Sequence, residues 1–355
     1  MKSLVTPPAA PAAQPPAATS ITASPAARLF PLVLLFGVIA VAALAVLHVG
    51  IGTVPLSPWQ VLLALAGHPE LPYERIIIVD LRLPRTLIAM TTGAMLGLAG
   101  AILQSIMRNP LAEPEMTGSV SGAILFTVLW VGFGESGFVI SGWYMPLLAL
   151  AGGVAAGAVV YVLTWRGQSA PGRLILTGLL VSAILRSGTS IILLVHQAAI
   201  GSVLTWLIGS LNGRAWAAWG VLWPWALATL ALGLVTARWA NVLQLGDDSA
   251  ASLGVHVEWA RAALLFLAVA LAAGAVSIVG GITFLGLVAP HLARRITGAD
   301  ARRVFPLSMV IGAGLLVGAD ILAQVVLYPI ELPVGAVVAV LGAPFFLYLL
   351  RRRLR

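Results

Sequence analysis

The chain has no cysteine, which excludes a disulfide framework, a thiolate metal site and a CxxC redox centre. Its only lysine is Lys2. A phosphate-binding P-loop needs a lysine behind its glycines, and Lys2, in a tail of alanine and proline, cannot serve. If ATP drives this protein, another chain supplies the ATPase. Charge is scarce, at 9% of 355 residues, and no stretch is long and polar enough for a soluble domain. The five histidines, His48, His68, His196, His256 and His291, are scattered without ligand spacing. Neither a metal site nor a catalytic constellation is expected.

What is abundant is apolar surface: 60% of residues are hydrophobic and the mean hydropathy is +1.03. Apolar runs recur along the chain, each near the ~20 residues a helix needs to cross a bilayer. The fold class is therefore all-α, a polytopic membrane protein with about ten spans. The spans are expected at 29–49, 84–105, 117–134, 143–165, 174–195, 217–237, 259–279, 282–297, 304–327 and 333–350. A tight turn at Gly280-Gly281 separates the seventh from the eighth. Residues 1–28, rich in Ala and Pro, cannot form a packed core and read as a disordered cytoplasmic tail. Residues 29–355 then make one transmembrane domain. The first apolar run is a full span without a small-residue cleavage site, so it is not expected to be a signal peptide.

The formal charge of +8 suggests nucleic acid only until the arginines are placed. Ten alternating spans from a cytoplasmic N-terminus put fifteen basic residues inside and four outside, Arg75, Arg82, Arg85 and Arg214. That asymmetry is the one membrane topology demands. Arg186 alone remains in the bilayer, in the run SAILRSGTSIIL. It lies roughly 15 to 20 Å from either end of its span, too deep to snorkel out. Facing lipid would cost at least ~2.5 to 3.5 kcal/mol, so it is expected to face a bundle interior or a water-filled cavity. Ser182, Ser187, Thr189 and Ser190 surround it on the same helix.

Several short segments carry more specific signals. Gly93, Gly97, Ala101 and Ser105 place small residues every fourth position on the second span, which lets another helix approach closely. In LRLPRT, residues 81–86, Pro84 suits a first helical turn and sets Arg82 and Arg85 at the outer surface. There they either anchor to lipid phosphates or receive an acidic partner. RNPLAEPE, 108–115, breaks the same helix on the inside, as an ordinary turn or as a pore mouth plugged by Leu111. In LGDDSAASLG, 245–254, Asp247 is expected as N-cap, Asp248 favours the positive end of the helix and Gly254 closes it. Such a self-contained helix can sit in a partner's groove or lie on lipid. The loops 50–83, outside, and 238–258, inside, are long enough to meet soluble partners.

Four blocks in order, RLPRTLIAMTTGAMLGLAGAILQSIMRNPLAEPE, LQLGDDSAASLGV, GGITFLGLVAPHLARRITGADARRVFP, and ADILAQ followed by ELPVGAVVAVLGAPFFLYLL, resemble permease subunits of the FecCD-type, or type II, ABC importers for ferric siderophores, haem and cobalamin. The resemblance runs from about residue 29 to the end. It implies a non-catalytic, cofactor-free subunit of the bacterial cytoplasmic membrane with both termini inside. Its partners would be a second permease subunit, two ATPase subunits below and a substrate-binding protein above. Arg82 and Arg85 would pair with glutamates of the binding protein. Gln324 stands where many relatives carry a third arginine, so docking is weaker here or shared with a different permease subunit. Gly246, Asp247, Asp248, Ala250, Leu253 and Gly254 would form the coupling helix on the ATPase, and Asn109 and Leu111 the cytoplasmic gate.

In such permeases the fifth helix lines the path. Arg186, with Ser182 and Ser190, would then attract an anionic cargo, such as a ferric siderophore or the propionates of haem. Its alternative is a buried ion pair with an acid such as Asp320. Cobalamin gives less reason for such a charge, and TWLIGSLNGRAW, 205–216, looks more like the iron-siderophore branch. Asp320 is expected to bond neighbouring helices near the outer end. The competing class is a secondary carrier without ATPase partners, for which Asp320 is the one clear ion-coupling acid.

Overall fold

A computed structural model of the chain describes residues 25–133, 144–164, 171–195, 204 and 206–353. Each of the ten predicted segments falls on a helix: α1 (Pro25–Gly50), α3 (Pro72–Ile106), α4 (Ser119–Phe133), α5 (Tyr144–Thr164), α6 (Pro171–Val195), α7 (Trp216–Val235), α10 (Val257–Val279), α11 (Leu285–Thr297), α12 (Ala301–Val325) and α13 (Val334–Arg353). Three short helices join them: α2 (Pro58–Leu65), α8 (Ala237–Gln244) and α9 (Asp247–Ser252). Among the described residues, seven helices are long and apolar enough to cross a membrane, and α4 and α13 carry shorter apolar stretches, Ser119–Val131 and Val334–Leu347. Residues 25–28 belong to α1, which moves the expected tail boundary; the rest of that tail lies outside the described residues.

α3 forms the centre because its small residues let two helices close on it. A Cβ at Gly93 would overlap the Gly312 carbonyl, and one at Gly97 the Ser308 carbonyl, both on α12. A Cβ at Gly100 would overlap the Gly286 carbonyl on α11. The predicted stripe thus holds for Gly93 and Gly97. Its third contact is Gly100 rather than Ala101, since α11 crosses beside the seam with α12. Leu96, Leu98, Ile102 and Leu103 are buried around it, with Phe305 from α12. α10 packs on the other side and α1 lies at the edge.

Two connections depart from expectation. The outer segment 50–83 is largely helical, and LRLPRT does not start a helix. Residues Ile76–Arg82 wind in the wider π register, in which Leu83 N–H reaches the Ile78 carbonyl. The next bond of that register would run from Pro84, which has no N–H, to the Val79 carbonyl. Trp216 Nε1–H takes that carbonyl instead, at 2.9 Å, so the helix passes through the proline unbroken.

The inner turn after α3 also differs, because it folds back into the protein. Its 3-10 turn, Pro114–Thr117, rests on α6, where a Cβ at Gly178 would overlap the Met116 carbonyl and Ser182 Oγ donates to the Glu115 carbonyl at 3.2 Å. Those contacts lie seven and eleven residues into α6, or about 10 to 16 Å along it. α4 starts from that depth. The Gly280-Gly281 turn is as expected: Gly280 adopts φ +81 and Gly281 N–H bonds the Trp206 carbonyl at 3.0 Å.

Candidate functional site

The end of the bundle that carries LRLPRT, expected to face outside, holds a buried polar network where α1, α3 and α12 meet. Arg85 forks onto Asp320, Nε to Oδ2 at 2.8 Å and Nη2 to Oδ1 at 3.0 Å, and its Nη1 reaches Glu331 at 2.9 Å. His48 contacts the same carboxylate through Nε2 at 2.7 Å and Thr86 Oγ1 through Nδ1 at 2.6 Å. Gln324 Nε2 donates to Asp320 Oδ2 at 3.3 Å. Asp320 is fully buried, so these groups replace the water that its charge would otherwise require. The structural role expected for Asp320 is the one observed.

Arg82 works differently. Its Nη1 donates to the Val49 and Gly50 carbonyls at 2.9 and 3.1 Å and its Nη2 to the Val54 carbonyl at 2.7 Å. It therefore caps the C-terminal end of α1, where a cation meets carbonyls that have no partner within the helix. Gly52 leaves the room, since a Cβ there would lie 2.5 Å from Arg82 Nη2. Arg82 and Arg85, expected at the outer surface, thus have partners within the chain. The arginines are internally bonded and Gln324 is buried, yet all three line one outer cleft of about 300 Å³ with Asn212, Arg214 and Glu331.

Midway down α6, Arg186 forms an ion pair with Glu115, Nη2 to Oε1, and its Nε donates to Ser121 Oγ at 3.3 Å. Its alternative partner is thus Glu115 and not Asp320, which sits in the outer network. The Arg186 side chain is 58% exposed and borders a pocket of about 330 Å³ with Glu115, Ser121, Thr189, Ser190 and Thr283. Ser182 does not join it: buried, it turns to the Glu115 carbonyl. Ser190 stays on the pocket while its hydroxyl bonds the Arg186 carbonyl at 3.1 Å. Glu113 and Glu115 were missed as site residues because they read as a loop outside the membrane. The available signal was the pairing of two acids with two prolines in PLAEPE, residues 110–115, inside an apolar context.

At the opposite end, α9 begins after Gly246, whose φ of +113 requires glycine. Gly246 is the N-cap, which corrects the assignment of Asp247. The Asp247 carboxylate is committed elsewhere, to Arg261 Nη2 at 2.7 Å and to Arg108 Nη2. Burial pushes its pKa up, but the hydrogen bonds and charges of Arg261 and Arg108 outweigh that and hold it below the usual carboxylate range. Gly254, at φ +79, closes the helix with its N–H on the Ala251 carbonyl, and Val255 N–H reaches the Ala250 carbonyl. Ala250 is buried, whereas Leu245, Asp248 and Leu253 are exposed. Arg108 also donates to the Leu243 carbonyl at 2.9 Å, so it ties α9 to the turn that follows. In that turn Asn109 Oδ1 accepts the Leu111 N–H at 3.0 Å and Leu111 is half-buried.

A helical membrane bundle with a polar pocket at mid-depth, a charged cleft at one end and a presented short helix at the other has the build of a transport permease. The chain belongs to the FecCD transport family, whose model matches residues 37–352. It is 39% identical over 312 residues to the achromobactin transport system permease protein CbrC of Dickeya dadantii, covering 87% of this chain and 88% of that one. It is 40% identical over 320 residues to the Fe(3+) dicitrate transport system permease protein FecD of Escherichia coli, covering 90% and 98%. Among solved structures, a metal-chelate type ABC transporter in an inward-facing conformation superposes with a TM-score of 0.79 at 28% identity, covering 91% of this chain and 99% of that one.

Proposed function

We propose that the chain is the permease subunit of an ATP-driven importer that moves ferric siderophores across the bacterial cytoplasmic membrane, with both termini inside. The observation that carries this reading is its near full-length similarity to permeases named for achromobactin and ferric dicitrate. The polar pocket around Arg186 supports an anionic ferric chelate as cargo. A separate ATPase pair sits on α9, a substrate-binding protein on the outer cleft, and a second permease subunit completes the path.

The mechanism is alternating access without chemistry on the cargo. The loaded binding protein docks outside. Closure of the ATPases on ATP moves α9, and the Asp247–Arg108 pair carries that motion to the turn of Asn109 and Leu111. Glu115 lies on the same re-entrant segment and occupies Arg186. An anionic cargo competes with Glu115 for that guanidinium, so cargo held by Arg186 and the gate segment held through Glu115 are opposed states of one cation.

The test is uptake of radiolabelled iron by cells lacking their own siderophore permeases and supplied with this chain and its partner subunits. Anionic and neutral ferric siderophores and haem are compared with Arg186 intact and as Arg186→Ala. Loss of uptake for anionic cargo alone, at normal expression, is expected. Equal uptake by both proteins would return Arg186 to a purely structural pair with Glu115.

A further inference from the structure

The outer cleft contains a third arginine that the docking motif does not include. Arg214 lies in the segment before α7, where its backbone N–H bonds the Leu211 carbonyl at 3.2 Å. Its guanidinium carbon sits 5.3 Å from the centroid of the Trp206 ring. It lines the same cleft as Arg82, Arg85, Gln324 and Glu331. The other two arginines are already occupied, Arg82 by three backbone carbonyls and Arg85 by Asp320 and Glu331. Arg214 has no carboxylate within ion-pairing distance among the described residues, and its buried Nε has no hydrogen-bond partner.

The charges of the cleft do not balance. Three guanidiniums meet two carboxylates, Asp320 and Glu331, which leaves one positive charge in excess with His48 counted as neutral. That excess falls on Arg214. Burial alone disfavours its charge, yet a guanidinium stays protonated. The Trp206 face holds it by cation–π attraction, and, with Nε buried, the paired Nη groups are the edge it can offer to a planar, two-oxygen acceptor.

We propose that Arg214 is the cation that receives an acidic side chain of the substrate-binding protein. It supplies the basic contact that Gln324 leaves out. This rests on the importer reading above. Arg85 can engage a second acid only by exchanging Glu331, whereas Arg214 needs no exchange. A charge of this kind acts chiefly on the association rate and on orientation.

The test uses the complete permease–ATPase complex in lipid nanodiscs and the binding protein that supports uptake in the assay above. Association is followed by biolayer interferometry at low and high salt for wild type, Arg214→Gln, Arg214→Lys and Arg214→Glu. At low salt the association rate should fall about ten-fold for Arg214→Gln and recover largely in Arg214→Lys. It should be lost in Arg214→Glu and return when a glutamate of the binding protein is changed to arginine. The salt dependence should flatten in Arg214→Gln. A structural role through Trp206 would lower the melting temperature without changing that salt dependence. An association rate and salt slope in Arg214→Gln equal to wild type would overturn this assignment alone. A wild-type complex that binds no such protein would overturn the importer reading with it.

Discussion

Replacing Asp320 by asparagine isolates what the outer network contributes. The substitution keeps the volume and removes the charge onto which Arg85 forks at 2.8 and 3.0 Å. Breaking a buried ion pair from one side typically costs ~3 to 5 kcal/mol, because the remaining charge stays desolvated. Two features reduce that here. Arg85 retains Glu331 at 2.9 Å and its side chain is 12% exposed, and the asparagine carbonyl can still accept one hydrogen bond. We expect about 2 to 3 kcal/mol, which is roughly 30- to 150-fold in the unfolding equilibrium. The assay is reversible unfolding in mixed detergent micelles followed by tryptophan fluorescence. Arg85→Gln and the double variant should complete the cycle with a coupling of at least ~1 kcal/mol. Single variants that each cost under ~0.5 kcal/mol and add independently would refute the view that Asp320 holds Arg85 in place.

Asp247→Asn should weaken retention of the ATPase subunit several-fold in detergent pull-downs, since α9 loses its tie to Arg108 and Arg261. The pH dependence has a definite sign. The folded pKa of Asp247 is depressed, so its contribution is complete above the unfolded value of about 3.9. It is lost as pH falls through the lower folded value. The melting-temperature gap between wild type and Asp247→Asn should thus stay constant from about pH 8 to pH 5 and close only below about pH 4; a gap already gone at neutral pH would contradict this. Gly178→Ala should destabilise the purified permease by ~1 to 3 kcal/mol, because its Cβ would strike the Met116 carbonyl, whereas Gly172→Ala meets open space and serves as control. Equal melting temperatures for those two variants would remove the support for the re-entrant turn.

What could be read from the sequence was whatever is encoded locally. Apolar runs placed the helices, and Gly280 and Gly254 closed theirs where expected, because a positive φ is a property of one residue and its neighbours. The short helix α9 was legible for the same reason, and its start was missed by one residue only where a distant group intervened: Asp247 looks like a cap until Arg108 and Arg261 claim its carboxylate. Most of what is non-local was hidden, beyond the small-residue stripe of Gly93 and Gly97 and the bonding role of Asp320. Pro84 reads as a helix start unless one knows that Trp216, far along the chain, will take the Val79 carbonyl. Arg82 and Arg85 read as free surface cations because Asp320 and the end of α1 come to them only through the packing of α12 and α1 on α3. Glu115 reads as a loop acid because its burial depends on Gly178 admitting the turn. A motif therefore marks where a charge stands, and the folded contacts decide whether it is free to act. By that criterion the cleft's available cation is Arg214, which lies outside the LRLPRT motif, and the occupied ones are Arg82 and Arg85 within it.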